Sequence, residues 1–192
     1  MRKKSGFFSR KVVAFIVVVL IVVVVVAAYQ LVSRGGSGGN SSPTRVVLVT
    51  SMGNITVELY GDMPITTGNF KNLVQQGVYD GTVFHRVVHD FVVQGGDASG
   101  KGISVPTIAD ELPNKHSNVR GSVAMAKTSE PNSATSQFYI NLVDNSASLD
   151  SNYSVFGRVV EGMDVVDAIG NVETANEKPV QDVTLIQALI IG

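Results

Sequence analysis

The chain has 192 residues, 44% of them hydrophobic, with 19 glycines and no cysteine, so disulfides and lipid attachment at cysteine are excluded. One ordinary globular domain plus an added apolar element fits that composition. All 16 acidic residues but only nine of the 15 Lys and Arg lie beyond position 43, leaving that part near −7, the wrong sign for a nucleic-acid partner.

Residues 1–11 carry Arg2, Lys3, Lys4, Arg10 and Lys11, and residues 12–32 contain no charge. At about 1.5 Å per residue that run makes a helix long enough to cross a hydrocarbon core of roughly 30 Å. Arg34 alone follows closely, so the charge bias predicts a single-pass signal anchor with its N-terminus cytoplasmic and the remainder outside. The alternative is a cleaved signal peptide and a secreted product, since Val26, Ala27 and Ala28 supply small residues near the end of the run. Residues 33–43, rich in Gly and Ser, read as a flexible linker, and 44–192 as the folded domain.

Within that domain Val46 to Thr50 and Ile55 to Tyr60 are β-branched runs around Ser51-Met52-Gly53-Asn54, which predicts a hairpin. Pro64 to Gln76 places Phe70, Leu73 and Val74 at helical spacing before Gly77. Six further strands are predicted: Thr82 to Val88, Phe91 to Gln94, Ser122 to Ala126, Gln137 to Leu142, Val155 to Val160 and Val183 to Ile191. Met163 to Ile169 forms a second helix ending at Gly170. The expected fold is mainly β, a closed antiparallel eight-stranded barrel with two capping helices, preceded by the transmembrane helix.

Chemistry concentrates in Val83-Phe84-His85-Arg86-Val87-Val88-His89-Asp90-Phe91-Val92-Val93-Gln94-Gly95-Gly96-Asp97. Further linked motifs are Gly121 to Ala126, Asn132 to Asn141 and Val155 to Val166. In these motifs the domain resembles the cyclophilins, in order and over roughly positions 46–191. The resemblance implies a peptidyl-prolyl cis/trans isomerase that acts on proline-containing unfolded or flexible polypeptides. It implies catalytic Arg86, oriented by Gln94. Phe91, Val92, Tyr139 and Leu149 would line the proline pocket, with Ala126, Gln137 and Tyr153 along the groove for the peptide backbone.

Such chemistry is physically coherent. Amide resonance sets a barrier of about 18 to 20 kcal/mol to rotation. A guanidinium donating toward the prolyl nitrogen favours the twisted state over the planar one. No metal or other cofactor is required, and a monomer is expected. Where many cyclophilins have methionine this chain has Val92, and Lys127 follows the groove alanine, which implies a roomier pocket and a more basic groove. Ser148 stands where eukaryotic members often carry a cyclosporin-binding tryptophan, so weak cyclosporin binding is expected.

Other readings fit less well. His85 and His89 are four apart in strand-like sequence without the glutamate of a helical zinc motif. No serine sits in a Gly-x-Ser-x-Gly elbow, and Gln94-Gly95-Gly96-Asp97 lacks the Gly-Lys-Ser/Thr of a phosphate loop. The rival is a non-catalytic peptide-binding or chaperone module that keeps the groove, against which intact Arg86 with Phe91 and Gln94 favours the enzyme. A structural β domain would leave the linked Arg, Gln and aromatic positions unexplained.

Overall fold

A computed structural model describes residues 43–191. The basic stretch, the apolar run and all of the linker except Pro43 lie outside the described residues. Among the described residues no helix is long and apolar enough to cross a membrane.

β1 (Arg45–Thr50) and β2 (Gly53–Leu59) form the predicted hairpin, with Val46 opposite Val57 and Leu48 opposite Ile55. Those four side chains are fully buried, as expected when alternate residues of a strand face one core. Thr50 ties the turn, its Oγ1 accepting from the Met52 amide at 3.1 Å and donating to the Gly53 carbonyl at 2.7 Å.

The first helix, α1 (Pro64–Gln75), begins with proline, whose missing N–H would be unpaired there anyway. Its next two amides, of Ile65 and Thr66, donate to the Glu111 carboxylate at 3.1 and 2.7 Å. A remote side chain thus supplies the anionic cap that Met63 cannot. At the other end Gly77 adopts φ +65°, the Gly77 amide bonds the Val74 carbonyl and the Val78 amide bonds the Leu73 carbonyl. That pair of bonds is a Schellman stop, and it accounts for glycine at this position.

The remaining elements are β3 (Thr82–Val83), β4 (Arg86–Val88), β5 (Val92–Gly95), a short 3₁₀ turn at Ser99–Lys101, β6 (Ser122–Met125) and β7 (Phe138–Asn141). They continue with the one-turn α2 (Ser146–Leu149), β8 (Val155–Glu161), α3 (Met163–Gly170), β9 (Thr174–Ala175), β10 (Lys178–Pro179) and β11 (Thr184–Ile191).

One antiparallel sheet of nine strands runs β3-β11-β1-β2-β8-β6-β7-β5-β4, with β9 and β10 paired separately. This corrects the expectation of a closed eight-stranded barrel, because the hydrogen-bonded ladder is open between β3 and β4. All eight predicted strands occur, but the run Thr82 to Val88 is divided at Phe84–His85. Its first part pairs with β11 and its second with β5, so one short stretch of chain supplies both edges of the sheet.

Phe70, Tyr79, Phe138 and Phe156 meet in the core with ring centroids 4.9 to 5.6 Å apart, and Phe84 joins through Phe138 at 6.3 Å. All five are essentially inaccessible, and truncating a phenylalanine so placed costs about 3 to 5 kcal/mol. The core also explains the double glycine: at Gly96 (φ +76°) a Cβ would lie 2.8 Å from the Phe138 ring and 2.9 Å from Tyr79. α1 packs on β8 and β11, whereas α3 buries Val166 and Ile169 and packs on β2, β4 and β5.

Candidate active site

Register assembles the site. Arg86 on β4 stands opposite Gln94 on β5, Gln94 opposite Tyr139 on β7, and Tyr139 opposite Ala124 on β6. Directly opposed residues project to the same face, so these four side chains share one row on the side away from the aromatic core. Their neighbours Val87, Val93, Ile140 and Val123 turn inward to that core instead. On the outer face Val92, Ala124, Tyr139 and Val155 form a second, smaller apolar cluster. Phe91, Ala126, Leu149 and Tyr153 pack around it, partly exposed.

This cluster is the floor of a cavity of about 260 Å³. Eight of the nine residues expected at the site line it: Arg86, Phe91, Val92 and Gln94 from one side, Ala126, Tyr139, Leu149 and Tyr153 from the other. The ninth, Gln137, lines an adjoining recess of about 160 Å³ together with Gln94, Ala126 and Thr135. A larger recess of about 520 Å³ around Met52 and Val180 lies elsewhere and contains none of the nine residues. Among the described residues no cluster of three or more His, Asp or Glu side chains is placed to hold a metal ion.

Polar groups rim the cup on one side. The Arg86 side chain is 37% exposed, and its Nη1 lies 3.5 Å from Gln94 Oε1, a long contact. Gln94 Nε2 donates to Gln137 Oε1 at 2.8 Å, so the two amides are fixed relative to one another. The firm partner of Arg86 is Glu177, whose Oε2 accepts from Nε at 2.7 Å. His85, beside Arg86, has a buried Nδ1 without a hydrogen-bond partner. Burial pulls its pKa below the ordinary histidine value, against the opposing pull of Asp97.

The apolar wall rests on a polar foundation. Tyr139, buried and edge-on to Tyr153 at 5.8 Å, donates its hydroxyl proton to Asn118 Oδ1 at 2.7 Å. Burial raises the Tyr139 pKa, so the hydroxyl is a donor at all ordinary pH. Asn118 is fully buried, and its amide and Nδ2 both donate to Asp150 Oδ1, at 2.7 and 2.8 Å. Asn114 Nδ2 holds the Asp150 and Tyr153 carbonyls, which sets the segment after α2 against the pocket. Asn145 Nδ2 reaches the Phe91 carbonyl at 3.0 Å and so fixes the opposite lip.

One expectation needs correcting. Lys127 lines the cavity and the adjoining recess, but its charge there is offset because Nζ is paired with Asp110 Oδ2 at 2.7 Å, both side chains being nearly buried. Glu177, Asn118 and Asp110 escaped sequence reasoning, since each acts on a residue 17 to 91 positions away with no local pattern to mark it.

Residues 45–189 match the family model described as "Cyclophilin type peptidyl-prolyl cis-trans isomerase/CLD". The "Peptidyl-prolyl cis-trans isomerase" of Acinetobacter baylyi is 46% identical over 141 residues, covering 69% of this chain and 74% of the relative. The "Peptidyl-prolyl cis-trans isomerase cyp18" of Streptomyces antibioticus is 45% identical, covering 77% of this chain and 98% of its own length. Among solved structures, a Cryptosporidium parvum cyclophilin type isomerase superposes with a TM-score of 0.72 at 26% identity, over 78% of this chain and 98% of that one. The same parasite enzyme crystallised in the presence of the dipeptide Ala-Pro gives 0.71 at 27% identity, over 77% and 99% of the respective chains. The chain therefore belongs to the cyclophilin-type peptidyl-prolyl cis-trans isomerases and is an enzyme of that activity.

Proposed function

We propose that this isomerase turns X-Pro bonds of exported polypeptides at the outer side of a membrane, with Arg86 acting on the prolyl nitrogen. The observation that carries the chemistry is the placement of the Arg86 guanidinium at the rim of an apolar cup made by Phe91, Val92, Tyr139 and Leu149. The cup takes the proline ring without competing for the amide's hydrogen bonds. As the C–N bond twists, resonance is lost and the nitrogen gains a lone pair, to which an N–H of Arg86 donates. That bond strengthens only in the twisted state, so it lowers the barrier rather than merely tightening binding. Gln94, held by Gln137, faces Arg86 Nη1 across a long contact of 3.5 Å.

The reading of location rests on the sequence: a 21-residue uncharged run after five basic residues, then a Gly- and Ser-rich tether. An enzyme so placed meets newly translocated chains, whose proline isomerisation otherwise takes tens of seconds. The enzyme is proposed to act as a monomer. A protease-coupled assay of the full chain on an Ala-Pro peptide tests catalysis. N-terminal sequencing of the membrane-fraction protein tests the anchor: an intact Met1 supports it, and a start beyond Ala28 replaces it with a secreted enzyme.

A further inference from the structure

We infer that Glu177 is a positioning residue, one that aims the Arg86 guanidinium at the pocket. This rests on the reading that Arg86 acts on the prolyl nitrogen. Glu177 lies in the two-residue turn between β9 and β10, where Asn176 and Glu177 both adopt left-handed backbone, φ 52° and 65°. Two consecutive positive φ values define the tight hairpin turn usually built from Asn and Gly, so a glutamate there is conformationally unfavourable.

The turn grips β4 at two successive residues. The Glu177 carbonyl accepts from the Val87 amide at 2.7 Å, and its carboxylate accepts from Arg86 Nε at 2.7 Å. Backbone and side chain of one residue therefore fix both the strand and the guanidinium it carries. A carboxylate on Nε occupies the inner edge of the planar group and leaves the Nη donors free, with Nη1 facing Gln94 at 3.5 Å. Without Glu177 that long contact would be the remaining side-chain hydrogen bond on Arg86, too weak to hold a long, rotamer-rich chain. The pair itself is exposed, 37% and 52%, and ion pairs so exposed add little to folding stability. Its consequence falls on where the guanidinium points.

Glu177→Ala, Glu177→Gln, Arg86→Ala and the Arg86→Ala/Glu177→Ala double variant, all in the full chain, test this by kcat/KM on an Ala-Pro peptide. Glu177→Ala should lose about tenfold, because a misaimed donor forfeits much of its effect. Glu177→Gln keeps an oxygen for Nε and should stay within about threefold of the parent, with both melting temperatures little changed. In the Arg86→Ala background, Glu177→Ala should cost nothing further. The Arg86 Nε–H resonance should be sharp in the parent and in Glu177→Gln, and broadened in Glu177→Ala. The inference is overturned if Glu177→Ala is as fast as the parent, if Glu177→Gln loses as much as Glu177→Ala, or if the loss persists without Arg86. An Arg86→Ala variant at full speed would instead remove the reading beneath it.

Discussion

The hydroxyl of Tyr139, at the base of the apolar cup, is bonded to Asn118 at 2.7 Å, and Asn118 is in turn bonded twice to Asp150. An apolar pocket is thus held in shape by a buried polar network, and its two ends are separable by mutation. Tyr139→Phe removes one donor while Asn118 Oδ1 keeps Asn141 Nδ2 at 3.2 Å, so the variant should lose about 1 kcal/mol and retain activity. Asn118→Ala strands the Tyr139 hydroxyl, whereas Asn141 Nδ2 keeps Ser122 Oγ at 2.9 Å and Asp150 keeps the backbone amide of residue 118, and should cost about 1 to 3 kcal/mol with a clear fall in kcat/KM. Urea denaturation beside the isomerase assay separates the two.

Asp110 neutralises the Lys127 charge that lines the groove. Asp110→Ala leaves a nearly buried ammonium without its partner and frees the Asn132 amide, bonded to the same oxygen at 3.0 Å. The cost should approach about 3 to 5 kcal/mol. Asp110→Asn should preserve more stability, yet shift substrate preference toward peptides with a glutamate before the X-Pro pair, measured as a ratio of kcat/KM values against the lysine analogue.

His85 sets a pH dependence. Its folded pKa lies below the 6.5 of a free histidine, so the unfolded chain binds the proton more readily. Its contribution is present above pH 6.5 and is lost as pH falls through that value toward the folded pKa. Chemical denaturation between about pH 5 and 8 should show stability declining on the acid side, and His85→Gln should flatten the slope. The carboxylates belong to a lower window: Glu58, held down by Arg158 and Arg45, loses its stabilising effect only as pH falls below 4.5.

Cyclosporin should bind weakly. Ser148, beside the pocket residue Leu149, spends its hydroxyl on the Asn145 carbonyl at 3.0 Å and offers no large apolar surface. A dissociation constant above about 1 μM is expected by calorimetry, and Ser148→Trp should tighten it.

Much of this architecture is legible in the residues. The β-branched run Val46–Thr50 and the alternation in Ile55–Leu59 mark the hairpin, and Phe70, Leu73 and Val74 before Gly77 mark α1 with its stop. The break at Phe84–His85 is invisible because Thr82 to Val88 stays strand-like throughout, and only the pairing with β11 on one side and β5 on the other divides it. The β9–β10 hairpin turns on Asn176–Glu177 without glycine, so it lacks the usual turn signal. At the site, motif resemblance supplied nine residues, of which strand register places Arg86, Val92, Gln94 and Tyr139 on one face. Asn118, Asp110 and Glu177 were not legible because their roles arise from contacts made only on folding.

One guanidinium at the rim of the cup is proposed to lower the rotation barrier. The most direct test compares kcat/KM on an Ala-Pro peptide for the parent, Arg86→Ala and Arg86→Lys, with circular dichroism confirming an unchanged fold. Loss of a donor made strong only in the transition state predicts a fall of about a hundredfold or more for Arg86→Ala. A similar fall is predicted for Arg86→Lys, since a point charge does not replace the planar fork. Turnover by Arg86→Ala within about threefold of the parent would contradict the account.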